Sequence, residues 1–412
     1  MVMIDLPQKR RWRSPTTGAP LAPGSGPKLL GIEVTQAIQN MKHEVRLIAG
    51  KTAVVRVYLA PQSVNADVRV RGEIFATRGE GTPGLYLASS NEVTLRAQGH
   101  PDLAAQRRDA ALSLNFLLRP PPAGNMTIRL NRLFAAEDGA AIPIGDPADA
   151  VDVRFESAPT LRVRVLGVRY QDGKTNPPQR FAPDPVHFNH LRSFLTRAYP
   201  TGGIDWSQAV IDAPVGFAPP FSGTVLPNGR DPLWEALLGL LHQHIMLVRQ
   251  ADMNAGWDPR THYYGLVSDE SGFFRGAAND VPRQPAPNTV AVGPCGQPRN
   301  GFAWDNDGSY GDWYGAHELA HTFGRFHPGF CGQDSSDDAF PHAAGAISDA
   351  GEDCIGFDVG DPDLHLPMRS YPHEHWVDIM TYCDRQWISK YTYDALHGRL
   401  VAEDIQFAPP TV

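Results

Sequence analysis

The sequence predicts a multidomain protein in which an N-terminal all-β sandwich precedes an α+β domain. Three observations predict it. From Lys28 to about Ser157, short segments alternate apolar and polar residues at period two. Near Ala158-Pro159 the pattern changes to strands interleaved with helices that open on Asp-Pro. One of the later helices, over about residues 312–324, carries two histidines four residues apart with a glutamate beside the first.

In the first region the strands read as Gly31–Thr35, Val45–Leu47, Ala53–Leu59, Val68–Ile74, Leu112–Leu117, Met126–Leu130 and Val151–Phe155. Turn clusters such as Gly79-Glu80-Gly81 and Pro120-Pro121-Pro122-Ala123-Gly124 separate them. About seven short strands at this spacing predict an antiparallel sandwich of immunoglobulin-like type over residues 28–157. It holds no catalytic constellation, so a packing or spacer role and a substrate-binding role both stay open.

Beyond it, Leu161–Tyr170 and Ala209–Val215 read as strands. Asp184-Pro185 and Asp231-Pro232 each place a capping residue before a first-turn proline, and apolar faces follow (Phe188, Leu191, Phe194, Leu195; then Leu237, Leu240, Leu241). His242 and His244 on the second helix have no partner spacing and read as structural. Tyr263–Val267 and Thr289–Val292 are further strands, with Gly276-Ala277-Ala278 as an edge segment between them. An open edge there could pair with an extended peptide. A last helix is expected over about Tyr393–Glu403.

Composition bounds the function. The 412 residues allow two or three domains and a substantial core. A net charge of −8 argues against a nucleic-acid partner, which needs a basic face. The most apolar run, Leu233–Val248, is broken by Glu235, His242, Gln243 and His244 and is too short to cross a bilayer, so no transmembrane segment is expected. Residues 1–27 read as a flexible tail, because Lys9, Arg10, Arg11 and Arg13 have no apolar stretch behind them to make a secretory leader.

The chemistry concentrates in His317-Glu318-Leu319-Ala320-His321-Thr322-Phe323-Gly324-Arg325-Phe326-His327, which is H-E-x-x-H-x-x-G-x-x-H. His317 and His321 share one helical face and can grip one metal ion. Glu318 sits one step round, beside the metal without ligating it, where a general base belongs. Gly324 lets the chain turn back after the helix, so His327 returns as third ligand. Three nitrogen ligands leave a position open, which is the pattern of a catalytic zinc.

This long motif, followed at Asp378-Ile379-Met380-Thr381-Tyr382 by a methionine in a short apolar run, resembles the metzincin clan of zinc endopeptidases, over about Leu161 to Phe407. The resemblance implies an α+β metzincin-like zinc protease domain over residues 158–412, with its Met-turn at about 378–383. It implies one catalytic Zn2+ held by His317, His321 and His327, Glu318 as general base and acid, and Met380 as the apolar floor beneath the metal. Pro328-Gly329 and Tyr382 are similar to serralysin and astacin details, and the likeness makes Tyr382 an oxyanion-stabilising catalytic residue. The implied function is a zinc-dependent endopeptidase acting on protein or glycoprotein substrates. A mucin-type glycoprotein specificity and a non-catalytic adhesin or binding module on the same scaffold stay open beside it.

The four cysteines, Cys295, Cys331, Cys354 and Cys383, cluster in the last third of the chain. Without a C-x-x-C they read as disulfides rather than a second metal site, preferentially Cys331 with Cys354 and Cys295 with Cys383, although sequence does not fix connectivity and reduced thiols fit a cytosolic setting. Their clustering and the family likeness favour a secreted or extracytoplasmic location. Asp334, Asp337, Asp338, Asp358, Asp361 and Asp363 offer oxygen ligands suited to Ca2+, in competition with a solvated acidic loop. His342, His365, His373 and His375 have no metal spacing.

Overall fold

A computed structural model describes residues 26–62, 66–79, 82–145, 150–219, 232–298, 302, 304–305, 307–332 and 335–408. The expected tail over residues 1–27 lies almost wholly outside them, as do the turn residues Glu80 and Gly81, the capping Asp231 and the candidate calcium ligand Asp334.

The N-terminal strands form two sheets. Lys28–Thr35, Ala53–Ala60 and Leu114–Leu118 pair antiparallel in the smaller one. The larger has seven strands, with Gly124–Ala135 and Val68–Thr77 at its centre. Their facing side chains, among them Val34, Val55, Val57, Ile74, Leu114, Phe116, Ile128 and Phe155, make one buried core. Alternation along each strand sends these residues inward.

The second region is built on a six-stranded sheet. Leu161–Gln171 lies parallel to both Ile204–Asp212 and His262–Ser268, and Val290–Cys295 continues the parallel set. Ala277–Ala278 closes the edge antiparallel to Val290–Cys295. Val163 and Val165 face one core, while Leu166, Val168 and Tyr170 face the other, as period-two alternation requires. Helix Pro185–Ala198, with Asp184 at its N-cap and proline in its first turn, covers the first face, and helix Pro232–Asn254 covers the second. Helix Gly311–Thr322 packs on the first face against both Pro185–Ala198 and Val290–Cys295.

Two expectations are corrected here. The metzincin-like α+β layout is not what the chain builds: it is mostly β, 33% strand against 23% helix, spread over several sheets. After His327 the chain runs through short strands, Ile355–Asp358 with Arg369–Pro372 and Val377–Asp378 with Gln386–Trp387, before the closing helix Lys390–Phe407. Nor is the N-terminal region a seven-stranded antiparallel sandwich of immunoglobulin-like type. Among the described residues its two sheets hold ten strands, and Leu47–Ile48 runs parallel to Ala150–Glu156. Strand Ile38–Gln39 leaves that region to pair with Ile355–Asp358, and the Trp387 indole donates to the Ala37 carbonyl at 2.7 Å. The physical reason is that periodicity identifies strands but not their partners, and short edge strands pair wherever an unsatisfied edge is nearest.

The strand expected at Ala209–Val215 is Ile204–Asp212, which begins and ends earlier. Ser389 caps the last helix by accepting from the Thr392 N–H at 3.1 Å, so that helix starts before Tyr393.

Candidate metal centre

The three histidines converge. His317 and His321 lie on the buried face of Gly311–Thr322, and the ligand atoms of His317, His321 and His327 are all within 4.8 Å of one another. The Nε2 atoms of His317 and His327 are 3.2 Å apart. Local backbone chemistry brings the third one back. Gly324 has φ of +77°, its N–H donates to the His321 carbonyl at 2.8 Å, and that of Arg325 to the Ala320 carbonyl at 3.0 Å. A Cβ at Gly324 would collide with the Pro282 carbonyl and the Arg399 guanidinium, so glycine is required twice over. The His327 carbonyl then accepts from the Ser336 and Asp337 N–H groups at 2.9 and 3.0 Å.

Outer contacts aim the rings. His317 Nδ1 is 2.6 Å from the Ile379 carbonyl, and His321 Nδ1 is 2.6 Å from the Arg325 carbonyl. Each carbonyl can only accept, so each Nδ1 carries the proton and each Nε2 presents a lone pair inward. Burial lowers His317 to about 4 and His327 to about 3, and burial with the two neighbouring rings holds His321 well below its usual value. All three are therefore neutral at pH 7, the form that binds metal. His327 Nε2 faces the His317 lone pair at 3.2 Å, and three imidazole nitrogens converging in this way fit a divalent transition metal.

Glu318 is buried beside this group, and burial pushes its carboxyl up to about 8. It lines a cleft of about 350 Å3 with Phe274, Gly276, Tyr314, His317 and Tyr382. Gly276 leads directly into the edge strand Ala277–Ala278, and its N–H donates to the Tyr314 hydroxyl at 3.1 Å. A Cβ on Gly276 would come within 2.5 Å of Glu318 Oε1, so the edge of the sheet runs against the carboxylate.

Met380 is buried in the core that the helix Gly311–Thr322 packs into, and Tyr382 is 59% exposed, with ring centroids 6.0 Å from His317 and 5.1 Å from His327. Asp378 shapes this turn: it accepts from the Met380 N–H at 2.8 Å and the Ser389 N–H at 3.1 Å.

The cysteine expectation is corrected. Cys331 is bonded to Cys383, while Cys295 and Cys354 are buried free thiols. The turn at 378–383 folds over the loop that follows His327, which brings Cys383 rather than Cys354 to Cys331. Cys295 instead ends strand Val290–Cys295 against Gly311, and Cys354 precedes Ile355–Asp358. The calcium expectation finds no cluster among the described residues. Asp337 bonds Arg325 and Tyr391, Asp358 bonds Arg197, and Asp361 accepts from Ser193. His242 and His244 contact the Ala277 and Asp212 carbonyls and do not belong to the ligand group.

Sequence reasoning missed the parts played by Tyr314 and Asp378, and it placed Gly276 in an edge segment without its contact with Glu318. Tyr314 had a signal, since it lies four residues before Glu318 on one helix. No family model matches this chain, and no curated protein matches it either.

Proposed function

We propose that the protein is a zinc-dependent endopeptidase that cuts internal peptide bonds of protein substrates. The observation that carries this reading is the position of Glu318, buried between three convergent neutral imidazoles and the sheet edge that begins at Gly276. His317, His321 and His327 would hold the ion. Zinc bound there supplies Lewis acidity, polarising a carbonyl and lowering the pKa of water toward ~7. The charge of an ion held there would favour the ionised form of Glu318, which could then take the proton from the attacking water and return it to the leaving amine nitrogen. The exposed Tyr382 donates its O–H to the oxyanion that forms on the carbonyl. The edge strand aligns an extended peptide by backbone hydrogen bonds, which favours a polypeptide substrate over a small molecule. The motif's likeness to the metzincin clan supports the same chemistry.

The Cys331–Cys383 disulfide is consistent with an oxidising, extracytoplasmic setting. No helix among the described residues is long and apolar enough to cross a membrane.

The test is hydrolysis of plain and O-glycosylated proteins by the purified chain, with and without a zinc chelator, beside the Glu318→Ala variant. Chelator-sensitive cutting that Glu318→Ala loses by about 10^2-fold or more, with zinc still bound, is expected. Full activity in that variant would end the assignment. Cutting of the glycosylated set alone would narrow the substrate to glycoproteins.

A further inference from the structure

A second cluster of ligand atoms lies outside the centre described above. One atom each from His190, Asp307 and Asp312 lies within 4.8 Å of the others. His190 is on helix Pro185–Ala198, whereas Asp312 is in the first turn of Gly311–Thr322 and Asp307 is in the segment leading to it. His190 is 5% exposed and Asp312 2%.

These carboxylates and this imidazole are not used up by the protein. Each aspartate gives one oxygen to a backbone donor: Asp307 Oδ1 accepts from the Ser309 N–H at 2.9 Å, and Asp312 Oδ1 from the Trp313 N–H at 2.5 Å. Asp307 Oδ2 instead faces His190 Nδ1 at 3.4 Å. The two stand at ion-pair distance, but His190 Nδ1 makes no aligned hydrogen bond to any described residue. Arg197 attracts Asp312 from a distance, but its hydrogen bonds go to Asp358 and Ser193. A buried imidazole nitrogen without a bond, aimed at buried carboxylates, costs free energy unless something sits between them. A cavity of about 50 Å3 opens on the carboxylate side of the cluster, where Arg197 and Arg369 line it together with Asp305, Asp307 and Asp312.

We propose that His190, Asp307 and Asp312 form a second metal site, which takes a divalent transition ion of the zinc class and pins helix Pro185–Ala198 to the start of the helix carrying His317 and His321. An imidazole among carboxylates selects zinc-class ions over calcium, which takes oxygen ligands almost throughout. Asp305 stands beside the site as an outer carboxylate, its Oδ1 accepting from the Asp307 N–H at 3.2 Å and its Oδ2 from the Trp313 indole at 3.1 Å. An ion there fixes the first turn of Gly311–Thr322, and through it the direction in which His317 and Glu318 leave that helix. The alternative without metal is a proton shared between Asp307 and Asp312.

The two are separated by zinc stoichiometry. The full chain is loaded with zinc chloride, desalted into metal-free buffer and read by mass spectrometry of the metal. Wild type is expected to retain two equivalents, and His317→Ala/His321→Ala and His190→Ala/Asp307→Asn one each. No zinc retained by His317→Ala/His321→Ala would overturn the proposal and favour the shared proton, whatever the wild type holds. The His317→Ala/His321→Ala variant leaves the new cluster untouched, so it answers the question even if the His190 variant does not fold. Zinc raising the Tm of that variant is the second expected sign. Because the first site has been removed from it, this result stands or falls independently of the peptidase reading.

Discussion

His317 Nδ1 lies 2.6 Å from the carbonyl oxygen of Ile379, sixty-two residues away in sequence. The ring that leads the metal group is thus aimed by the backbone of the turn beneath it, and that turn is shaped by Asp378. Asp378→Ala removes the acceptor for two buried N–H groups, at a cost of about 1–3 kcal/mol for each. It also frees the Ile379 carbonyl to move. Zinc affinity is expected to fall roughly 10–100-fold, as for other outer-ligand losses. Chelator competition measures the affinity and thermal unfolding of the metal-free protein measures the stability; unchanged affinity would disconnect the turn from the ligand.

Gly276 provides a probe of the cleft that leaves the metal alone. An alanine Cβ there would press on Glu318 Oε1 and on the Tyr314 ring, and one of the three must shift. A displacement near 1 Å at a proton-transferring group costs about 10^2-fold in rate. Gly276→Ala should lower kcat/KM by about 10–100-fold at unchanged zinc content. Equal activity would mean that the edge strand does not set the position of the carboxylate.

The contrast between these residues shows what the sequence makes legible. His317, Glu318, His321 and Gly324 were readable because helix geometry alone relates them, and the left-handed turn at Gly324 is a local event. Tyr314 was readable by the same rule. Asp378 was not, because its partners, the N–H groups of Met380 and Ser389, are defined only by a turn with no residue signature beyond the aspartate. His190 and Asp307 meet from separate elements, and only the packing of one helix on another brings them together. The same limit governs the sheets. The alternation in Ala53–Ala60 and Val68–Thr77 marks them as strands, yet nothing in Ile38–Gln39 says that its partner is Ile355–Asp358. Fold class was misread at that step, from strands to layers.

Cys331–Cys383 ties the loop after His327 to the turn that carries Met380 and Tyr382, and 52 residues separate the two cysteines in sequence. Opening a bridge over a loop of this size costs about 2–5 kcal/mol by loop-closure entropy. Dithiothreitol should therefore lower the Tm of the wild type. It should leave Cys331→Ala/Cys383→Ala unchanged, because Cys295 and Cys354 are free thiols. A dithiothreitol effect of equal size in the double variant would place the disulfide elsewhere.

Lys51 joins the N-terminal sheets to the site region. Its ammonium is buried and donates to the Thr196 and Arg197 carbonyls at the end of helix Pro185–Ala198, the latter at 2.8 Å. Burial, helped by the Arg197 charge and opposed by Asp358, lowers its pKa to about 7. An unfolded lysine keeps a pKa near ~10.4. Between these values the unfolded chain binds more protons than the folded one, so stability attributable to Lys51 rises with pH across that window. It is fully present above the unfolded value and is lost as pH falls through about 7. The change is on the order of 5 kcal/mol. Lys51→Met has nothing to titrate there: its Tm against pH should be flatter than that of the wild type from pH ~7 to ~10. Parallel curves for the two proteins would show that Lys51 stays charged in the fold, held by the two carbonyls at the helix end.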